Sequence, residues 1–559
     1  MKKLLLTFYF AFYIFYSGFS QYPLVKEWDK RFGGTWQDWL RSINQTSDNG
    51  FLLAGWSFSD SSGDKTQNNW DSTMHTCDYW IIKIDSLGNK QWDKRYGGTK
   101  GDWLWSSCAT IDGGYILGGT SDSDSSGDKS QPNWDSTYTD YWIIKVDSFG
   151  NKQWDKRYGG YSSEWLYSIQ QTWDYGYILI GSSNSDSSGD KTQPSWGYDD
   201  YWIVKTDSLG NIQWDKDLGG TGGEFPRTLW QTADRGYILG GESSSGISGD
   251  RTQNNWDSTG YTADYWIIKI DSLGNKEWDR RFGGSKTEYL FNIKRTIDGY
   301  YLLGGISQSD SSGDKTQNAW YNGVNPTLDY WIVKIDSIGN KLWDKRFGGI
   351  AHEDEFGNII ASSDGGFIIC GTSYSSASGD KTENNLGQEQ MWIVKIDSAG
   401  NKLWDKTIKT LGHDEQCLGI TLNDDCYIFA TYTNGGIGGY KTQPNWDPVF
   451  NTYDYWIIKF CDSTATAINN IQSSTINFQI FPNPANDFIN ISLTSAEEKN
   501  VSVEIFDLLG REVLKRKLQT SPDGYRDQTK INISDFENGV YIVQVSTKNN
   551  FHKKKIVKM

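Results

Sequence analysis

At 559 residues the chain is long enough for more than one domain. Its formal charge of −16 excludes a nucleic-acid role, because phosphates demand a basic footprint. With 28 Trp, 32 Tyr and 60 Gly against only 4 Met, the composition favours strands and turns over helices.

The chain opens with Lys2 and Lys3, an apolar run from Leu4 to Tyr16, and small residues at Gly18 and Ser20. This is the layout of a cleaved secretory signal, predicted over residues 1–20. The run is short for a membrane span and no later stretch is long enough, so no transmembrane segment is expected in the mature chain. The six cysteines (Cys77, Cys108, Cys370, Cys417, Cys426 and Cys461) show no C-x-x-C spacing. No pairing follows from the sequence, although export permits disulfides.

Repetition governs residues 21–461. Trp-Asp followed by a basic residue recurs at Trp28, Trp92, Trp154, Trp214, Trp278, Trp343 and Trp404, at intervals of 60 to 65 residues. A second marker, usually Tyr-Trp-Ile-Ile/Val-Lys, places Trp80, Trp142, Trp202, Trp266, Trp331, Trp392 and Trp456. Each unit reads as four strands, in the second copy 103–110, 115–121, 140–147 and 152–158. The third is apolar on both faces, as in a sheet covered on both sides. The chain begins with a lone fourth strand (27–32), and the last unit stops after a third strand (455–460). A first strand that completes the last unit closes a ring and removes exposed sheet edges. The expected fold is therefore all-β: a seven-bladed β-propeller closed by its N-terminal strand.

The run Asp112-Gly113-Gly114-Tyr115-Ile116-Leu117-Gly118-Gly119, then an aromatic strand ending in Asp147, then Trp154, resembles a Kelch repeat. That resemblance implies a propeller and a binding platform, and names no ligand. The turn Thr-x-Asp-x-Gly at Thr46 to Gly50, Thr172 to Gly176 and Thr232 to Gly236 resembles the Asp-box of sialidase propellers. It implies a stabilised turn rather than sialidase activity.

The long loops between second and third strands carry the nonapeptide SDSSGDKTQ at Ser59, Ser185 and Ser309, with near copies elsewhere. Strand alternation places them at one end of the repeat, as a crown. Ordering a loop of roughly 20 residues costs on the order of 20–40 kcal/mol of backbone entropy. Burial of one Trp per loop is expected to return roughly 4–6 kcal/mol of this. Those rings are Trp70, Trp134, Trp196, Trp256, Trp320 and Trp446, with Leu386 as the exception, and they are also candidate binding residues for a glycan or a protein. Asp122-Ser123-Asp124-Ser125-Ser126-Gly127 fits the start of a calcium loop, which makes Ca²⁺ a cofactor candidate. Other copies begin with Phe58, Asn184, Gln308 or Tyr374 and lack the bidentate Glu, so a hydrogen-bonded scaffold is the favoured expectation.

Every unit has a carboxylate where its first strand begins: Asp38, Asp102, Glu164, Glu224, Glu288, Asp354 and Asp414. They are expected either to pair with basic side chains and backbone N–H groups, or to ring the mouth of an axial channel around a cation. Two units break the repeat with His352-Glu353-Asp354-Glu355 and His413-Asp414-Glu415. His352, Glu353, Asp354, His413, Asp414 and Glu415 are candidate metal ligands, since they mix imidazole with carboxylate. Solvated polar loops are the simpler alternative. His75 and His552 complete the histidines, no G-x-S-x-G or H-E-x-x-H occurs, and no catalytic residue is assigned.

Residues 462–475 read as a polar linker, and 476–559 as a small Ig-like β-sandwich of short alternating strands. Phe481-Pro482-Asn483-Pro484-Ala485-Asn486-Asp487, Val503 to Val513 with Gly510, Gly539-Val540-Tyr541, and Lys553-Lys554-Lys555 resemble the type A C-terminal sorting domain of type IX secretion. The resemblance implies passage through an outer membrane, the type IX machinery and a sortase-like peptidase as partners, and a secreted or cell-surface location. Taken together, the expectation is an exported binding protein that meets a glycan or an envelope protein through its crown. The alternatives are an extracellular polysaccharide hydrolase and a structural surface-layer component.

Overall fold

The computed structural model describes residues 24–462 apart from 72, 74, 258, 322–326, 354, 423–424 and 450, together with 477–481, 485–494, 501–507, 512–518, 528–536, 539–546 and 551–558. The signal predicted over 1–20 lies outside the described residues. The chain divides into two units, Met1–Ser463 and Thr464–Met559. Among the described residues no helix is long and apolar enough to cross a membrane.

The first unit starts with β1 (Leu24–Phe32), followed by the antiparallel meander β2 (Asp38–Gln45), β3 (Phe51–Ser57), β4 (Asp78–Ile84) and β5 (Lys90–Tyr96). Among the described residues the four-stranded meander recurs in five further sheets, the second being Asp102–Ala109, Tyr115–Ser121, Asp140–Val146 and Lys152–Tyr158. The last sheet of the unit takes Asp414–Thr421, Cys426–Thr433 and Asp454–Asp462, and is completed by β1. β1 runs antiparallel to Asp454–Asp462 in a register from Leu24 opposite Asp462 to Phe32 opposite Tyr455. The repeated four-stranded sheets are consistent with a propeller-like fold.

Burial follows strand position. Second and third strands are buried along their length, whereas fourth strands such as β5 bury only every third or fourth residue. Apolar clusters bridge neighbouring sheets: Leu52 and Ile81 of the first pack with Leu117 and Trp142 of the second. The Tyr of the third strand donates to a main-chain carbonyl of the next sheet, Tyr79 to Trp142 at 3.0 Å and Tyr141 to Trp202 at 3.1 Å. Tyr455 of the last sheet donates to Trp80 of the first at 3.3 Å.

Both sequence markers have physical work to do. Asp93 of the Trp-Asp marker accepts from Thr66 N (2.9 Å), Thr66 Oγ1 (3.0 Å) and Trp80 Nε1 (3.1 Å), tying the crown loop to the third strand. Lys83 of the second marker pairs with Asp48 of the Thr-x-Asp-x-Gly turn at 2.8 Å. Although partial burial alone would raise it, that contact, with Thr46 and Gly50, brings the Asp48 carboxyl down to about 2. The turn is thus a stabilised one, as the Asp-box resemblance implied.

In the second unit, Asn477–Phe481, Phe488–Thr494 and Gln528–Asn532 form one sheet, and Glu512–Leu518, Val501–Asp507, Gly539–Ser546 and Phe551–Lys558 form another. The two share a core that includes Ile489, Val503, Ile531, Val543 and Ile556. Gly539 opens a strand, Tyr541 is buried against Phe536 at 5.0 Å, and Lys554 is exposed. Pro482, Asn483, Pro484 and Gly510 lie outside the described residues, and Lys553 and Lys555 are described only as strand backbone.

Candidate functional site

The crown loops hold a built-in cation. Lys65 of the first nonapeptide is buried, and its Nζ donates to Ser59 O at 2.5 Å and to Asn69 Oδ1. Lys191 and Lys315 repeat this at 2.6 Å to Ser185 O and Ser309 O, and Arg251 takes the same position in the fourth sheet. Burial pushes the Lys65 ammonium down to about 8 against the pull of Asp38 and Asp78. Gly63, at φ 58°, is required because a Cβ would strike Trp446 of the last sheet. In the Asp122 to Gly127 loop, the calcium candidate, Lys129 Nζ donates to Ser123 O and Ser126 Oγ donates to Asp124 O, the hydrogen-bonded scaffold arrangement. Among the described residues no group of three or more His, Cys, Asp and Glu could hold a metal ion.

The carboxylates at the start of the first strands do not ring an open mouth. Asp38, Asp102, Glu164, Glu224, Glu288 and Asp414 are fully buried. The backbone N–H four residues upstream reaches Asp38 and Asp102 at 2.7 Å and Glu164 at 2.9 Å, and serine hydroxyls of the crown loop add to it. In the sixth sheet this place belongs to Glu353, which accepts from Ser373 Oγ at 2.9 Å; Asp354 lies outside the described residues. Burial raises Asp38 to about 6, opposed by Ser57, Gly34 and Lys65. Asp78 rises to about 7 through burial and the neighbouring Asp102. These are interior groups that fasten the crown loops onto the sheets, and they are not a cation funnel.

The crown tryptophans are half-exposed rather than buried, Trp70 at 47% and Trp256 at 49%. The reason is a clamp between sheets. Arg95 lies over the Trp70 ring at 4.7 Å, and both Arg95 Nη1 (2.7 Å) and Trp70 Nε1 (2.9 Å) bind Asp128 of the next loop. The same trio recurs at Trp134, Trp256 and Trp320, and Trp446 with Arg31 binds Asp64 of the first sheet. The guanidinium covers part of each ring and a glycine of the next loop packs against it, Gly127 at Trp70 and Gly313 at Trp256. Trp196 has Asp217 in place of the arginine, and Asp217 pairs with Lys191 at 2.7 Å. At Leu386 the whole trio is gone, with Thr407 and Tyr440 at the partner positions. Trp256→Ala should therefore lower stability by about 2–3 kcal/mol and Trp196→Ala by only about 1 kcal/mol in urea unfolding. Equal losses would mean that the clamp contributes nothing.

The most distinctive chemistry lies where the sixth and seventh copies depart from the others. His413, in the loop before the last sheet, has both ring nitrogens engaged. Nε2 lies 2.5 Å from Glu389 Oε2 and 3.0 Å from Tyr374 OH, and Nδ1 lies 2.9 Å from Tyr453 OH. Glu415 Oε1 is 3.7 Å from Nδ1, and Tyr432 OH donates to Glu415 Oε2 at 2.5 Å. The hydrogen bond to Glu389 raises the His413 pKa above its ordinary value, more than burial lowers it, and favours the imidazolium. Tyr432 stacks on Trp39 at 5.6 Å, next to Arg41, whose guanidinium lies 4.8 Å from Trp56, 4.9 Å from Trp105 and 5.3 Å from Tyr432. The result is a run of neighbouring aromatic rings with one imidazolium, one guanidinium and two carboxylates, in which Tyr432, Trp56 and Glu389 are buried, Tyr374 is exposed, and Trp39, Arg41, His413, Glu415 and Tyr453 are partly exposed. Its exposed part, Tyr374 with His413 and Tyr453, can stack on a flat saccharide face, bond hydroxyls and move protons.

Of the six residues read as metal ligands, His413 and Glu415 join this cluster. Asp414 is turned inward onto Thr410 (2.7 Å) and Thr433 (2.5 Å), Glu353 is buried, and His352 Nδ1 accepts from Leu328 N at 3.2 Å. Tyr374, Glu389, Arg41, Tyr432 and Tyr453 were not singled out in the sequence. Their signal was present: where Glu389 stands, the first two copies have Cys77 and Thr139, and where Arg41 stands the second and third have Trp105 and Tyr167.

Residues 479–559 match the secretion system C-terminal sorting domain. That domain marks proteins exported by type IX secretion to the cell surface or the medium, and this chain carries it. Over 284 residues the chain is 30% identical to an endo-acting ulvan lyase of Formosa agariphila, covering 48% of this chain and 43% of that protein. It is 26% identical over 188 residues to the regulatory protein FlaEY of Caulobacter vibrioides, covering 32% and 19%. The chain spans less than half the length of these curated relatives. A crystal structure of a protein of unknown function from Dyadobacter fermentans aligns over 78% of this chain and 99% of its own, at 8% identity and a TM-score of 0.41.

Proposed function

We propose that the protein is a type IX-exported, polysaccharide-binding propeller whose crown carries the binding site. In this reading residues 1–20 direct export into the periplasm, and the first unit is a seven-bladed, Kelch-like ring sealed by β1. Residues 476–559 are read by the secretion machinery and removed by a sortase-like peptidase. Pairing of β1 with the last sheet and the Tyr455 to Trp80 bond support the ring.

The observation that carries the binding role is the cluster around His413, a group of aromatic and ionised side chains centred on the sixth and seventh copies, which depart from the repeat, and continued by Arg41 of the first. A scaffold need is shared by every sheet, whereas this cluster is not. The likeness to an ulvan lyase favours an extracellular polysaccharide as the ligand, and an acidic one suits Arg41 and the His413 imidazolium. Affinity electrophoresis in gels containing ulvan, another anionic polysaccharide or a neutral glucan tests this. The protein should be retarded by an anionic glycan, and Tyr374→Ala or His413→Gln should weaken retention about tenfold. Equal mobility in every gel would overturn the reading.

Cleavage is the second reading, favoured by one feature: His413 is held between a carboxylate and a phenol, a geometry suited to proton transfer. New chain ends appearing in polysaccharide incubated with the protein, and absent with His413→Gln, would establish it.

A further inference from the structure

Four cysteines of the first unit stand as free thiols, and two of them meet. Cys370 lies on Phe367–Ser373 of the sixth sheet, Cys417 on Asp414–Thr421 of the last, and both are fully buried in one apolar cluster. The two thiols are within hydrogen-bonding reach of each other. The surroundings hold them there. Asn358 Nδ2 donates to Gly419 O at 2.9 Å and Gly419 N donates back to Asn358 Oδ1 at 2.8 Å, joining the sheets beside the pair. Gly419 is itself required, since a Cβ there would come within 2.6 Å of Cys370 Sγ. The register of Asp414–Thr421 shifts between Glu415 and Leu418, which places Cys417 in an irregularity free of ladder pairing.

We propose that Cys370 and Cys417 form a second disulfide during export, stapling the sixth sheet to the last. The first disulfide, Cys426–Cys461, joins two strands within the last sheet, so the fold already includes an oxidised pair. Type IX export carries the chain through the periplasm, an oxidising compartment. The oxidant is a thiol oxidoreductase carrying a reactive disulfide. One chain thiolate attacks it to give a mixed disulfide, and the second thiolate displaces the enzyme's sulfur. Two protons and two electrons leave the chain, and the enzyme's disulfide becomes a dithiol. Burial raises the Cys417 thiol far above its ordinary value, so the exchange takes place before the two sheets close.

The staple has a position that matters. Tyr374 immediately follows the strand of Cys370, and His413 immediately precedes the strand of Cys417. The bond therefore fixes the spacing of the two sheets that contribute the halves of the His413 cluster. It does so at the one contact between sheets where the Trp–Arg–Asp clamp is missing altogether.

Peptide mapping of the secreted protein, alkylated in denaturant without reductant, decides the matter. The expected result is a cross-linked Cys370–Cys417 peptide beside Cys426–Cys461, with Cys77 and Cys108 alkylated. Cys77 donates to Asp102 O and Cys108 to Ala109 O, which makes them internal controls. Quantitative alkylation of Cys370 and Cys417 would overturn the proposal. As a second measurement, Cys370→Ala and the double variant Cys370→Ala/Cys417→Ala should lower the melting temperature equally, by about 3–5 °C. A double variant that loses markedly more than the single variant would argue for independent packing roles instead.

Discussion

Removal of residues 24–32 is expected to abolish cooperative unfolding of the first unit, and a synthetic peptide of the same residues should restore it in trans. β1 supplies the fourth strand of the last sheet, so its loss uncovers the edge of Asp454–Asp462 along its full length. Asp29 goes with it, and Asp29 accepts from Thr442 N (2.9 Å), Thr442 Oγ1 (2.8 Å) and Trp456 Nε1 (3.1 Å). Arg31 also goes, and with it the clamp between Trp446 and Asp64 of the first sheet. An edge strand, three orphaned donors and a lost clamp together exceed about 5 kcal/mol, a large share of an ordinary domain's stability. Circular dichroism melts of the truncated chain with and without peptide are the test. An unchanged melt would show that β1 is an appendage.

The second large effect is expected at Asp93. Asp93→Ala strands Thr66 N and the Trp80 indole, both in contact with a carboxylate that is itself 6% exposed, at a cost of about 3–5 kcal/mol. Asp93→Asn keeps one acceptor and should cost about 1–2 kcal/mol. Burial alone would raise this carboxyl, but Lys90, Thr66 and Trp80 hold it below its ordinary value of 3.8. Its contribution is therefore complete above pH 3.8 and is lost as the pH falls below that value. Urea titrations at neutral pH check the ranking, and Asp155, which bonds Ser130 N and Trp142 Nε1 in the same way, should behave alike. Comparable losses for Ala and Asn would mean that the buried donors find other partners.

The sheets were legible because each depends on local pattern: an apolar third strand, a tight turn with Gly, and a fourth strand marked by Trp-Asp and a basic residue. The phase of the Trp-Asp marker was enough to foresee that β1 joins the last sheet. Lys65 was not foreseen as buried, because a lysine in a Ser/Asp/Gly loop reads as solvated until the fold places Asp38 and Asp78 beside it. Nor could sequence spacing choose between Glu353 and Asp354, since a one-residue shift reverses the face of an extended segment. The tryptophans were expected inside and stand half outside, because their partner is a guanidinium contributed by a strand of the same sheet some 25 residues further on. His413 was noticed as an irregularity, but Tyr374 and Glu389 stand at the two ends of one long loop and Tyr453 in another, and they meet it only in three dimensions.

The missing clamp between the sixth and last sheets bears on how such a molecule can change. Leu386, Thr407 and Tyr440 replace its three members, and Met391 replaces the tyrosine that elsewhere bonds the following sheet. The joint at Trp196 lacks only the arginine, with Asp217 in its place, and the joint between the sixth and last sheets is the one that lacks all three members. That joint is where grafted loops or new recognition residues would be tolerated best, so a designer wishing to redirect the protein has a natural place to start.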